Sequence, residues 1–165
     1  MTLTTRLILT LSCAAMMASC SVKEKVIAVG QNIHHDDFEY SVQNVEKTDS
    51  VGDVRARGVF YVVKFQVENR ARRVDHRWTN SVAYLIDEIG IRYDNEMQAQ
   101  EELNRIQPFA YKSDYVTPAG STESTMLVFD VPKTVSQPYL QVRGSILMGD
   151  VFDGDQYQKT KVKLF

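Results

Sequence analysis

Cysteine is nearly absent, with two residues, Cys13 and Cys20, in a chain of 165. Both fall within the first twenty positions, so the rest of the chain has no thiol for a disulfide, a Cys-x-x-Cys redox pair or a thiolate metal site. Proline and glycine are sparse, at four and eight, too few for a linker-rich or disordered chain. An excess of one charge is missing too: 19 basic side chains face 21 acidic ones. Such a balance gives no polyelectrolyte character and argues against nucleic acid as a partner. No apolar run reaches the ~18–20 residues that a membrane-spanning helix needs. There is no Gly-x-Ser-x-Gly elbow, no glycine-rich phosphate loop and no His-Glu-x-x-His helix. The three histidines occupy two polar stretches, which gives no Ser-His-Asp arrangement. The expectation is a non-enzyme with no catalytic residues and no cofactor.

The most specific positive signal lies at the N-terminus. Met1 to Arg6 carries one positive charge, and Leu7 to Met17 is apolar apart from Thr10, Ser12 and Cys13. Small residues follow at Ala18 and Ser19, so residues 1–19 read as a signal peptide. Met17-Ala18-Ser19-Cys20 resembles the bacterial lipobox, with Met in place of the more usual Leu. That resemblance implies that the Cys20 thiol receives a diacylglycerol and becomes the mature N-terminus. Ordinary cleavage nearby, leaving Cys20 a stray thiol, is the alternative. Ser21, rather than Asp, follows the cysteine. In many Gram-negative bacteria this favours the outer membrane over the inner, at its periplasmic face or the cell surface. Removal of residues 1–19 takes away Arg6 and leaves 146 residues with a net charge of 18 − 21 = −3. With no disulfide to lean on, the exported domain must be held by its core, and a chain of this size buries enough surface to do so.

Gly58 to Asn69 organises the remainder. Val59, Tyr61, Val63, Phe65 and Val67 share one face, because strand side chains alternate. The other face starts apolar at Phe60 and Val62 and turns polar at Lys64, Gln66 and Glu68. This predicts an interior strand, buried on both faces at one end and solvated on one face where it loses its partner sheet. Residues 20–29 read as a lipidated tether leading into a first edge strand, and 30–165 as the folded domain. Phe38 to Val45 predicts a strand and Lys47 to Gly58 a polar loop. Ser81 to Asp87, with Val82, Tyr84 and Ile86 on one face, turns at Gly90 into Ile91-Arg92-Tyr93. One short helix is expected around 95–105. It has Asn95 and Gln98 as a capping box, and Ala99, Leu103 and Ile106 as a stripe lying across a sheet edge or one end of the sandwich. Thr117-Pro118-Ala119-Gly120 suits a type I turn. Ser121 to Val131, Tyr139 to Met148 and Tyr157 to Phe165 are the remaining strands. The expectation is a mainly β fold, an antiparallel β-sandwich of seven or eight strands with one helix.

Several ordered features carry a resemblance: Phe38-Glu39-Tyr40-Ser41-Val42, Gly58 to Val63 running on to Glu68-Asn69, and Leu85 to Gly90 with Tyr93. Pro118-Ala119-Gly120 and Val128 to Pro132 complete the set. The chain resembles a bacterial immunoglobulin-like family of unknown function often mislabelled as a telomeric-repeat-binding factor. It also resembles, more distantly, a secreted mycobacterial antigen of immunoglobulin-like fold. The resemblance implies a fold and an envelope location, with no reaction attached.

Three clusters are candidate sites. His34, His35, Asp36 and Asp37 are metal-ligand types, but neighbours on a strand diverge, so the segment reads first as a solvated turn. Asp150, Asp153 and Asp155 lack the ligand spacing of an EF-hand calcium loop. Arg70, Arg72, Arg73 and Arg77, leading to Trp78, offer contacts to an anion or a partner. Solvation of the arginines beside carboxylates, with Trp78 as a core plug, is the competing reading. The functional expectation is a lipid-anchored envelope protein whose non-enzymatic domain binds a protein or glycan of the envelope. The alternative is a binder of a small anion, metal or glycan.

Overall fold

The computed structural model describes residues 23–112, 114–143 and 156–165. The expected signal peptide at 1–19, Cys20, and Asp150, Asp153 and Asp155 lie outside the described residues.

Hydrophobic alternation builds two facing sheets. The first runs β2 (Asn32–His35), β3 (Phe38–Val51), β4 (Val54–Asn69), β9 (Thr122–Val131) in spatial order. The second runs β1 (Lys25–Ala28), β11 (Thr160–Lys163), β10 (Tyr139–Val142), β6 (Ala83–Ile86), β7 (Arg92–Tyr93). A two-stranded ribbon of β5 (His76–Thr79) and β8 (Asp114–Thr117) stands apart from both. Among the described residues one α-helix, α1, spans Met97–Ile106. The β-sandwich expectation holds, but with 11 strands among the described residues rather than seven or eight. The extra strands, β2, β5 and β8, are four residues each, below the length at which alternation is readable. The sheets are antiparallel except where β1 pairs parallel with β11. β1, at one edge of its sheet, is the first edge strand expected within residues 20–29.

β4 is the interior strand anticipated, paired with β3 on one side and β9 on the other. Tyr61, Val63, Phe65 and Val67 enter the core between the sheets, where they meet Leu85, Leu140 and Val162 from the opposite sheet. Burial of each such side chain stabilises the fold by about 1.5–3 kcal/mol. The partner sheet persists as far as Val67, contrary to expectation. What β4 loses toward Asn69 is the helix on its other face: Phe60 and Val62 pack with Val128, Ala99 and Leu103 in a second cluster. α1 therefore lies over the outer face of the β2–β3–β4–β9 sheet and also reaches its β9 edge, where Gln100 hydrogen-bonds the backbone of Met126 and Val128.

Other local expectations shift. The polar loop at 47–58 is instead the far half of the β3–β4 hairpin, closed by Gly52-Asp53 with Gly52 at φ +51. Its apolar residues Val51, Val54 and Ala56 are covered by α1. A bulge between Val42 and Asn44 resets the alternation, so Val45 faces the same core as Val42. α1 has no side-chain cap, and both Asn95 side-chain polar atoms are buried without a partner rather than forming a capping box. Ala99 and Leu103 are buried as the stripe predicts, while Ile106 is half exposed. The turn before β9 is one residue later than expected: the Ser121 amide donates to the Pro118 carbonyl, and Gly120 takes φ +73 at the third position. That is the type II arrangement, which needs a positive φ there. In β6 the inward residues are Ala83 and Leu85, so Tyr84 and Ile86, which share one face as expected, face outward. The Asp87 carboxylate pins the β6–β7 turn by accepting from the amides of Ile89 and Ile91 and from the Tyr93 hydroxyl.

Candidate functional site

The connection from β4 to β5 carries Arg70, Arg72 and Arg73, and β5 carries Arg77. Arg70 is held by Glu68 and Glu39, both at 2.8 Å. Arg72 and Arg73 are exposed in the loop, and Arg77 is exposed on β5. Trp78, on the alternate face of β5, is buried: its ring stacks on Tyr115 at 4.0 Å, and its indole N–H donates to the Thr117 hydroxyl at 2.9 Å. Five carboxylates, at residues 36, 37, 39, 68 and 75, lie on the same stretches of chain as these four guanidiniums. The loop is anchored beneath by the buried side chain of Asn69, which donates to the carbonyls of Val74 and Thr117 and accepts from the Ala71 amide.

The two histidines expected in a solvated turn stand instead on β2, whose pairing with β3 runs to His35↔Phe38. His34 is exposed and faces Glu39 at 3.7 Å. His35 is buried and stacks on Tyr157 at 3.9 Å. Asp36 turns the chain at φ +55. The four residues do not converge, and the described residues hold no group of three or more metal-ligating His, Cys, Asp or Glu side chains. What converges is a different set, unreadable from spacing: the Tyr40 hydroxyl lies 2.8 Å from Nε2 of His76 and 3.4 Å from Nδ1 of His35. His76 also stacks on Phe38 at 3.9 Å.

Burial, reinforced by His35, lowers the His76 pKa from 6.5 to about 4. The unfolded chain therefore takes up the proton first as pH falls, so acid favours unfolding. Stability is expected to decline between pH 6.5 and about 4, by at most about 1.4 kcal/mol per pH unit for one proton. Urea denaturation across this range measures it. The His76→Gln variant, which keeps a hydrogen-bonding side chain and cannot titrate, should flatten that part of the profile.

A concave site lies on the outer face of the β1–β11–β10–β6–β7 sheet. It is a cavity of about 480 Å³ lined by Tyr84, Arg92, Gln141, Arg143, Lys159 and Lys161, with Glu24 at its edge. Tyr84 is its floor: the Arg92 guanidinium sits 4.2 Å from the ring centroid and that of Arg143 5.7 Å. This cation–π contact orients both arginines. The Tyr84 hydroxyl donates to Gln141, whose amide nitrogen donates to the Gln158 carbonyl, so the floor is fixed by hydrogen bonds. Lys161 pairs with Glu24 at 2.8 Å. Four cations thus border one concavity, against Glu24 and an exposed Asp94 shared by the two arginines. The arrangement is fitted to receive negative charge through guanidinium and ammonium donors.

Sequence reasoning missed this site because its residues come from five separate segments, and each occupies an outward position that reads as ordinary solvated surface. The available signal was Tyr84 flanked by the buried pair Ala83 and Leu85, which leaves a large aromatic facing outward.

A family model described as a domain of unknown function (DUF4352) matches residues 27–152. No curated protein matches the sequence. Among solved structures, the fold is similar to that of the yjhA protein from Bacillus subtilis, at 9% identity over 86% of this chain and 99% of that one, with a TM-score of 0.57. It is similar to MPT63, a secreted protein from Mycobacterium tuberculosis, at 14% identity over 76% and 94% of the two chains, with a TM-score of 0.56. A conserved hypothetical protein from Bacillus anthracis shares 20% identity over 74% and 93%, with a TM-score of 0.54. These likenesses establish the β-sandwich and bring no activity with them.

Proposed function

The chain belongs to the DUF4352 family, a domain of unknown function, and from that premise we propose that it is a lipid-anchored protein of the bacterial cell envelope. Its sandwich is a non-enzymatic binding module for an anionic component of that envelope. The observation that carries the reading is the cationic groove on the outer face of the β1–β11–β10–β6–β7 sheet. A rigid floor, aligned cations and no paired nucleophile and base among its lining residues suit binding rather than turnover. The signal peptide at 1–19 and the secreted status of the structurally similar MPT63 support export. The lipobox-like Met17-Ala18-Ser19-Cys20 supports lipidation at Cys20, and several acyl chains together would hold a protein where a single chain would release it.

The anchor would also place the groove. Glu24 lines it and is four residues from Cys20. Four extended residues span at most about 14 Å, so the groove would stay close to the membrane surface. Replacement of Cys20 by Ala is expected to abolish lipid labelling and to move the protein from the membrane to the soluble fraction. Retention in the membrane fraction would refute the anchor. The binding reading is tested separately, by whether envelope polymer protects the groove strands of the full-length protein from hydrogen exchange.

A further inference from the structure

Three N–H groups converge on one oxygen at the rim of the groove. Oδ1 of Asp94 accepts from Arg92 Nε at 2.9 Å, from Arg92 Nη2 at 2.6 Å and from Arg143 Nη2 at 2.9 Å. The carboxylate that receives them is itself 66% exposed, while the arginine side chains are 38% and 42% exposed and braced on Tyr84. The donors are therefore more firmly held than their acceptor. Arg92 stands on β7 and Arg143 immediately after β10, so two segments 51 residues apart deliver the donors to one point. An exposed carboxylate gains little from such pairing and is readily exchanged for another anion.

We propose that Asp94 is an internal stand-in for a ligand oxygen, and that the groove binds a phosphate ester of a sugar or polyol whose phosphate displaces it. Phosphate matches the donors: it presents several oxygens to the paired guanidiniums, and Lys159 and Lys161 supply further cations along the groove. A cavity of about 480 Å³ exceeds the needs of a bare phosphate and accommodates an attached sugar or polyol. The Gln141 and Tyr84 side chains give this part an uncharged, hydrogen-bonding wall. The inference rests on the binding function proposed above and specifies its ligand. Sugar phosphates of an envelope polymer and phospholipid headgroups share this chemistry.

The test is a calorimetric titration of the full-length protein in detergent with glucose 6-phosphate, sn-glycerol 3-phosphate, inorganic phosphate and glucose. Both esters should bind more tightly than inorganic phosphate, and glucose should not bind. A preference for glucose 6-phosphate assigns the glycan source, and a preference for glycerol 3-phosphate the headgroup source. Asp94→Asn removes the competing charge and should tighten ester binding about three- to tenfold. Arg143→Gln should weaken it about tenfold or more. Unchanged melting temperatures in both variants would show that the fold is retained. Equal binding of glucose and glucose 6-phosphate, or an Asp94→Asn variant with unchanged or weaker affinity, would overturn the proposal. If envelope polymer protects the groove while neither ester binds, the ligand assignment fails and the binding face stands.

Discussion

Replacement of Asn69 by Ala is expected to cost about 3–5 kcal/mol of stability, as a large fall in the urea midpoint. Asn69 is fully buried at the end of β4, and its side chain makes three hydrogen bonds to backbone groups, two in the β4–β5 loop and one at Thr117, the end of β8. Each buried group left without its partner costs about 1–3 kcal/mol. A small domain has only about 5–15 kcal/mol in total. The Asn69 backbone joins the same knot, donating to the Ser121 carbonyl and accepting from the Gly120 amide. Asn69 is thus a junction between the β4–β5 loop and the turn before β9. Asn69→Asp separates volume from hydrogen bonding: it keeps the shape but removes both donations, so it should be at least as damaging as Ala. A loss below about 1 kcal/mol in either variant would contradict this account of the junction.

Gln100→Leu is the second large effect, expected at about 2–4 kcal/mol together with a tendency to associate. β9 is an edge strand of its sheet, and such edges invite pairing with other chains. Here the edge is closed by the segment that carries α1. The Gln100 side chain, fully buried, donates to the Met126 carbonyl at 2.5 Å and accepts from the Val128 amide at 2.9 Å. The Glu96 amide donates to the Val128 carbonyl, and the Met126 amide donates to the Ala110 carbonyl. One glutamine amide thus does what a neighbouring strand would do. Leucine is of similar size but leaves two backbone groups unpaired, at about 1–3 kcal/mol each. Denaturation should show the loss, and light scattering that grows with concentration should show the opened edge. A variant that stays monomeric with an unchanged midpoint would contradict this role.

What the sequence disclosed was whatever follows a period. The two faces of β4, the helix after residue 95 and the hairpin turning at Gly90 could all be read from alternation or turn chemistry. Asn69 was visible as the end of a strand but not as a buried junction, because its three partners lie at residues 71, 74 and 117. Gln100 looked like polar helix surface, because nothing local reveals that an edge strand needs its amide. β5 and β8, with the sequences HRWT and DYVT, are too short to show a pattern and exist through pairing across the chain. The candidate site was the least legible feature. The attention that Arg70–Arg77 drew came from their proximity in sequence, whereas Arg92 and Arg143 are distant in sequence and adjacent in space. Tyr84, in the sequence only one residue of a strand face, is the residue that holds them together.

The central claim is that the outer face of the β1–β11–β10–β6–β7 sheet is where this protein binds the envelope. Hydrogen exchange on the full-length protein, with and without polymer extracted from the envelope of the producing bacterium, tests it most directly. The account predicts slowed exchange in 83–86, 139–143 and 158–163, the segments that frame the groove, and unchanged exchange in 70–77. Protection confined to the arginine-rich loop at 70–77, or none anywhere, would contradict it.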